Sequence, residues 1–182
     1  KQSRAFQYIK PMLDYAFDDE KLIQAQTVLR EWDLTTDMDS RGAPLGVCTL
    51  SPEWLAEQEN RMPPEVLPIF RQCVKDITSK YKRIDPLWSE VNYLIRGNKI
   101  LPIQGGPDTL RAIYGETQKN ASLKAVAGDG LVVFVEWDKD GVLTSRSIHQ
   151  YGSATQDVKS PHYDDQAELF ADEILKDTYF KK

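Results

Sequence analysis

With 182 residues, 41% of them hydrophobic, the chain is long enough to bury a core, and its composition excludes collagen-like, disordered and disulfide-scaffold classes. A net charge of -5, with Lys and Arg scattered rather than gathered into a stripe, argues against a nucleic-acid partner. No run approaches the roughly 18 apolar residues of a membrane helix, and the start of the chain lacks a signal peptide's apolar centre, so a soluble chain with no membrane partner is expected.

Lys1 to Asp14 carry apolar positions without a clean period and read as a leader or short helix. Asp18-Asp19 then offers a cap and first-turn acids to a helix whose Leu22, Ile23, Ala25, Val28, Leu29 and Trp32 recur at three- and four-residue steps, ending around Asp33. Polar turn formers fill Thr35 to Gly42. Asp33, Asp37 and Asp39 alternate there, but without the glycine and final glutamate of an EF-hand they read as a solvated turn.

Ser51-Pro52-Glu53 predicts a helix start, with the serine as cap and proline at the first helical position; Met62-Pro63-Pro64 breaks that segment. A further helix from about Glu65 to Tyr81 puts Val66, Ile69, Phe70, Cys73, Val74 and Ile77 on one face. Cys73 is therefore expected as a buried thiol, with a bridge to Cys48 as the alternative. Two cysteines and two separated histidines, His149 and His162, leave no metal site in view, and no cofactor is expected.

Composition shifts after Pro86, which divides a mainly helical segment, 1–86, from a loop-rich segment with a hairpin and a terminal helix, 87–182. Gly97 to Asp108 reads as a loop folding back on itself, anchored by Leu101 and Ile103. Gly105-Gly106 is no phosphate loop, because neither Lys-Ser nor Lys-Thr follows. Leu131 to Trp137 is the strongest strand, a β-branched and aromatic run expected to be buried on both faces. Asp138 to Gly141 turns the chain and Val142 to Gln150 returns as its partner. From Gln166 to about Asp177, a last helix places Leu169, Phe170, Ile174 and Leu175 on one side. The sum is an α+β arrangement, helices lying on an antiparallel sheet. Trp32, Trp54, Trp88 and Trp137 are too dispersed for a stacking platform and read as core and interface anchors. Asn120-Ala121-Ser122 fits a glycosylation sequon to which no role is assigned.

Near the end, Tyr151-Gly152-Ser153 precedes Ser160-Pro161-His162-Tyr163-Asp164-Asp165-Gln166. This block closely resembles the C-terminal signature of the penicillin acylase (penicillin amidase) family of N-terminal-nucleophile (Ntn) hydrolases. Leu29 to Asp33 with Asp39 to Ala43 resembles that family's Leu-x-x-Trp-Asp segment. Leu101-Pro102-Ile103-Gln104-Gly105-Gly106 with Asp108 to Arg111 resembles a block of its acyl-homoserine lactone and aculeacin acylase branch. The resemblance spans about residues 20 to 177 and corresponds to the C-terminal part of the family's β-chain.

It implies an αββα Ntn-hydrolase sandwich and hydrolysis of N-acyl amides by a β-chain N-terminal serine whose own amine is the base. An asparagine would complete the oxyanion hole. Both residues are expected upstream of this chain: Lys1-Gln2-Ser3 does not resemble the family's nucleophile start, and Ser3 is not assigned that role. No catalytic residue is therefore assigned, and the isolated chain is expected to be inactive. The motif residues Trp32, Asp33, Gly105, Gly106, Ser160, Pro161, His162, Tyr163, Asp165 and Gln166 are read as structural. His162 should satisfy loop carbonyls, Tyr163 should bury its ring and bond its hydroxyl, and Asp165 should cap the last helix. His149 has no nucleophile in a recognisable context. The implied partners are the α-chain, the N-terminal part of the β-chain and a small N-acyl substrate, in a periplasmic or secreted setting. Sheet edges left open would favour self-association. The alternative is a ligand- or partner-binding domain derived from the same fold.

Overall fold

The computed structural model describes residues 6–118 and 122–179; Ser3 and, of the sequon, Asn120 and Ala121 lie outside them. Four helices, α1 (Phe6–Leu13), α2 (Glu20–Glu31), α3 (Ala43–Gln58) and α4 (Val66–Tyr81), precede a 3-10 turn at Trp88–Glu90. Strands β1 (Asn92–Arg96), β2 (Lys99–Pro102), β3 (Ile113–Thr117) and β4 (Leu123–Gly128) form one sheet in the order β2-β1-β4-β3, with β1 and β4 parallel. A second, antiparallel sheet joins β5 (Leu131–Trp137), β6 (Leu143–His149) and β7 (Lys176–Asp177), with α5 (Ala167–Ala171) packed between β6 and the β1–β2 hairpin. The α+β class read from the sequence is the one observed. No helix among the described residues is long and apolar enough to cross a membrane.

Helix α2 forms as its periodicity predicts. Asp19 Oδ1 accepts from the Leu22 amide at 3.0 Å, satisfying one donor that the first turn leaves open. Leu22, Ala25 and Leu29 face the core, and Gln26 Nε2 reaches back to the Met12 carbonyl at 2.6 Å, so α2 closes the end of α1. Helix α4 likewise follows its apolar stripe, burying Phe70, Cys73, Val74 and Ile77. It stops at Lys82, whose left-handed backbone (φ 59°) turns its N–H to the Thr78 carbonyl.

Helix α3 departs from the expectation. It begins at Ala43, well before Ser51, with Pro44 rather than Pro52 in its first turn, and Pro52 lies inside it. Ser51 Oγ caps nothing; it donates to the Val47 carbonyl at 2.6 Å. The helix is held by tertiary packing: Trp32 lies so close over Gly42 and Gly46 that a Cβ at either position would overlap its side chain. This same helix corrects the cysteine reading. With Cys48 helical and facing α4, its sulfur meets that of Cys73, and the two form a disulfide, S–S 2.09 Å, rather than a free buried thiol.

Three further expectations fail in the second half. Part of Gly97–Asp108 is strand: β2 pairs with β1 from Arg96–Lys99 to Tyr93–Pro102, although Ile103 is fully buried and Leu101 packs beside it as anticipated. Strand β5 is not sandwiched. It lies at a sheet edge with Val133 (47%), Phe134 (52%) and Trp137 (68%) exposed, so Trp137 does not anchor a core as Trp32, Trp54 and Trp88 do. The terminal helix ends at Ala171, because Glu173 turns left-handed (φ 57°) and Lys176–Asp177 joins β6 as a strand. The hairpin turn itself forms as read, Gly141 taking φ 78° and its N–H donating to the Asp138 carbonyl.

Candidate functional site

The Trp-Asp block locks the corner between α2 and α3. Trp32 Nε1 donates to the Thr35 carbonyl at 2.7 Å, while Asp33 Oδ1 accepts from the Thr35 amide (3.0 Å) and hydroxyl (2.9 Å). This is an Asx turn, a local bond that competes with helix continuation and so stops α2. Asp33 spends its carboxylate on the turn it was expected to occupy.

The Gly-Gly block meets the same corner. The Gly105 amide donates to the Thr36 carbonyl, and the Gly105 carbonyl accepts from Trp88 Nε1 at 2.9 Å. Gly105 adopts φ 96°, and a Cβ there would stand 2.6 Å from the Arg111 carbonyl oxygen, so the position needs glycine twice over. Gly106 rests on Thr36 with equally little room. Arg111 carries the connection onward, donating to Glu173 Oε1 at 2.8 Å and to the Phe170 carbonyl.

The terminal block is a strap over the β1–β2 hairpin. The Arg96 guanidinium lies 3.6 Å from the Tyr163 ring centroid and 4.5 Å from that of Tyr151, and Arg96 also donates to the Tyr163 and Thr155 carbonyls. Burial pushes the Tyr151 hydroxyl's pKa up, partly opposed by the Arg96 charge. Lys99 Nζ donates to the Asp164 carbonyl. Within the strap, the Ser160 hydroxyl accepts from the His162 amide, and the Ala154 amide donates to the His162 carbonyl. Gly152 packs so tightly on that carbonyl and on Asp165 that a Cβ would collide. Gln166 closes the end of β6, its amide donating to the Tyr151 carbonyl and its Oε1 accepting from the His149 amide.

Three side-chain assignments need correction. Asp165 does not cap α5, whose first turn has no side-chain cap; its Oδ2 lies 2.8 Å from His162 Nδ1 instead. Tyr163 is held through its half-buried ring under Arg96, not through its hydroxyl. His162 is exposed and satisfied by Asp165 rather than by loop carbonyls.

Thus the three sequence blocks form one run of contacts, from Trp32 through Gly105 and Arg111 to α5 and the strap. Pro161 is exposed at the strap's surface. Among the described residues no group of His, Cys, Asp and Glu could hold a metal ion.

A cleft of about 770 Å³ was not foreseen. Its walls come from α3 and α4 on one side and from β3 and β4 on the other, and Gln58 Nε2 donates to Tyr114 Oη at 3.1 Å between them. Strand β3, which helps complete it, carries Gly115, Glu116 and Thr117 and so gives no apolar run that stands out in the sequence. Burial, with the nearby Tyr93 and Glu90, pushes the Tyr81 hydroxyl's pKa up to about 12, and burial lowers that of Lys80.

The three sequence blocks interlock within one α+β fold. The penicillin amidase family matches residues 1–182, and the chain belongs to that family, whose chemistry is amide hydrolysis. Comparison with curated proteins finds no match.

Proposed function

We propose that the chain is the C-terminal part of the β-chain of a penicillin acylase-type Ntn hydrolase, in the acyl-homoserine lactone and aculeacin acylase branch, and a portion of an αββα sandwich. The whole enzyme hydrolyses the linear amide of an N-acyl compound: an acyl-homoserine lactone, which would make it quorum-quenching, a lipopeptide, or a β-lactam side chain. Its serine nucleophile and oxyanion asparagine belong to upstream sequence, and the α-chain and the N-terminal part of the β-chain are its partners. The observation that carries this reading is β5, a strand apolar on both faces at an open sheet edge. Proteins normally cover such a strand with further layers. A periplasmic or secreted setting agrees with the Cys48–Cys73 disulfide, which persists where thiols are oxidised. Without those layers the chain self-associates through β5.

The test is to express the 182-residue chain alone and joined to its upstream sequence, then measure release of primary amine from N-acyl substrates. Turnover is expected only from the joined form. Robust turnover by the chain alone would refute the reading. The cleft favours a second reading, a ligand-binding domain derived from the same fold, in which neither form turns over substrate.

A further inference from the structure

The cleft between α3, α4 and the β3–β4 edge takes no part in the amide-hydrolysis reading, and its chemistry is uneven. Most of its wall is apolar, with Val47, Trp54, Leu55 and Leu123 along it. Its volume of about 770 Å³ falls within the range of small-molecule sites, roughly 300–1,000 Å³. Where the end of α4 meets it, Lys80 contributes a cation held against Tyr81: Nζ donates to the hydroxyl and stands 4.1 Å from the ring centroid. Among the described residues no carboxylate pairs with Lys80. Two acids of this region hold other partners. Asp76, one turn earlier and also on the cleft wall, accepts from Gln72 Nε2 at 2.8 Å, and Glu90 pairs with Arg83. A partly desolvated cation with no carboxylate in bonding contact, at the edge of an apolar cavity, is a cost that an anion would offset.

We propose that this cleft binds an amphiphilic monocarboxylate, its aliphatic or aryl body along Trp54 and Leu55 and its carboxylate on Lys80 Nζ. Tyr81, protonated at neutral pH, flanks the headgroup. Asp76 limits the charge to one, because a dianion would bring its second carboxylate towards an aspartate. The inference stands apart from the acylase reading, since it concerns only residues of this chain and needs no nucleophile.

Calorimetric titration of the 182-residue chain with octanoate, and separately with the neutral octan-1-ol, tests it. Octanoate should saturate one site and bind more tightly than the alcohol. Lys80→Met should weaken octanoate by at least about tenfold, the loss of one charge-assisted bond, while leaving octan-1-ol within about twofold. Leu55→Asp should weaken both, which separates the cleft from the apolar face of β5. Circular dichroism verifies that each variant is folded, and Lys80→Gln replaces Lys80→Met if the latter is not. Absence of saturable octanoate binding, equal binding of acid and alcohol, or a Lys80 variant that binds octanoate as tightly as the parent would each overturn the proposal.

Discussion

Arg96 holds the terminal strap by charge over two rings and by bonds to two carbonyls, so its loss should be felt well beyond one side chain. Arg96→Ala should destabilise the chain by about 2–3 kcal/mol in urea unfolding, and Arg96→Lys should recover little, because an ammonium cannot stack between rings while keeping a planar fork of donors. Tyr81 makes a second prediction, in pH. Its hydroxyl titrates near 12 in the folded chain against about 10 when unfolded, so folding favours the protonated form. The associated stability is complete below about pH 10 and is lost as pH rises towards 12. Urea midpoints measured across that window should fall for the parent and fall less steeply for Tyr81→Phe.

Among the elements, the disulfide between α3 and α4 closes a sequence separation of 25 residues. Chain-entropy arguments give such a bridge about 3.5 kcal/mol, and Cys48→Ala/Cys73→Ala or reduction should lower the thermal midpoint accordingly. That bridge also shows where the sequence stopped being legible. Helices α2 and α4 announce themselves because an apolar stripe with a cap or stop is a local signal, carried by Asp19 and Leu22 to Leu29 in one and by Phe70 to Ile77 in the other. Helix α3 is hydrophobic nearly all round, so it has no stripe, and Ser51-Pro52 imitates a beginning inside it. What starts it at Ala43 is Trp32 lying over Gly42 and Gly46, a contact no local window contains. Without helix at Cys48 the disulfide was not the favoured reading. The three motif blocks were legible as blocks, but the bonds of Asp165 and Tyr163 depend on Arg96 and His162 geometry that only the fold supplies.

At the scale of the whole molecule, the exposed face of β5 is the feature with the widest consequence. Leu131, Val133, Phe134, Val135 and Trp137 together present an apolar edge of a kind that solvated proteins normally cover. The isolated chain should show concentration-dependent association in sedimentation velocity, and Val133→Lys/Val135→Lys, placing charges along that edge, should return it towards the monomer. A parent chain that sediments as a monomer at all concentrations would show that the edge needs no cover.

The central claim is that this chain supplies framework to an amide hydrolase and that the attacking group lies outside its 182 residues. The measurement that reaches it most directly is inactivation of the upstream-joined enzyme with an amide-mimicking sulfonyl fluoride, followed by mass-spectrometric mapping of the adduct. The account predicts loss of turnover with the label on a residue upstream of Lys1. A stoichiometric label within residues 1–182, appearing in step with the loss of activity, would contradict it.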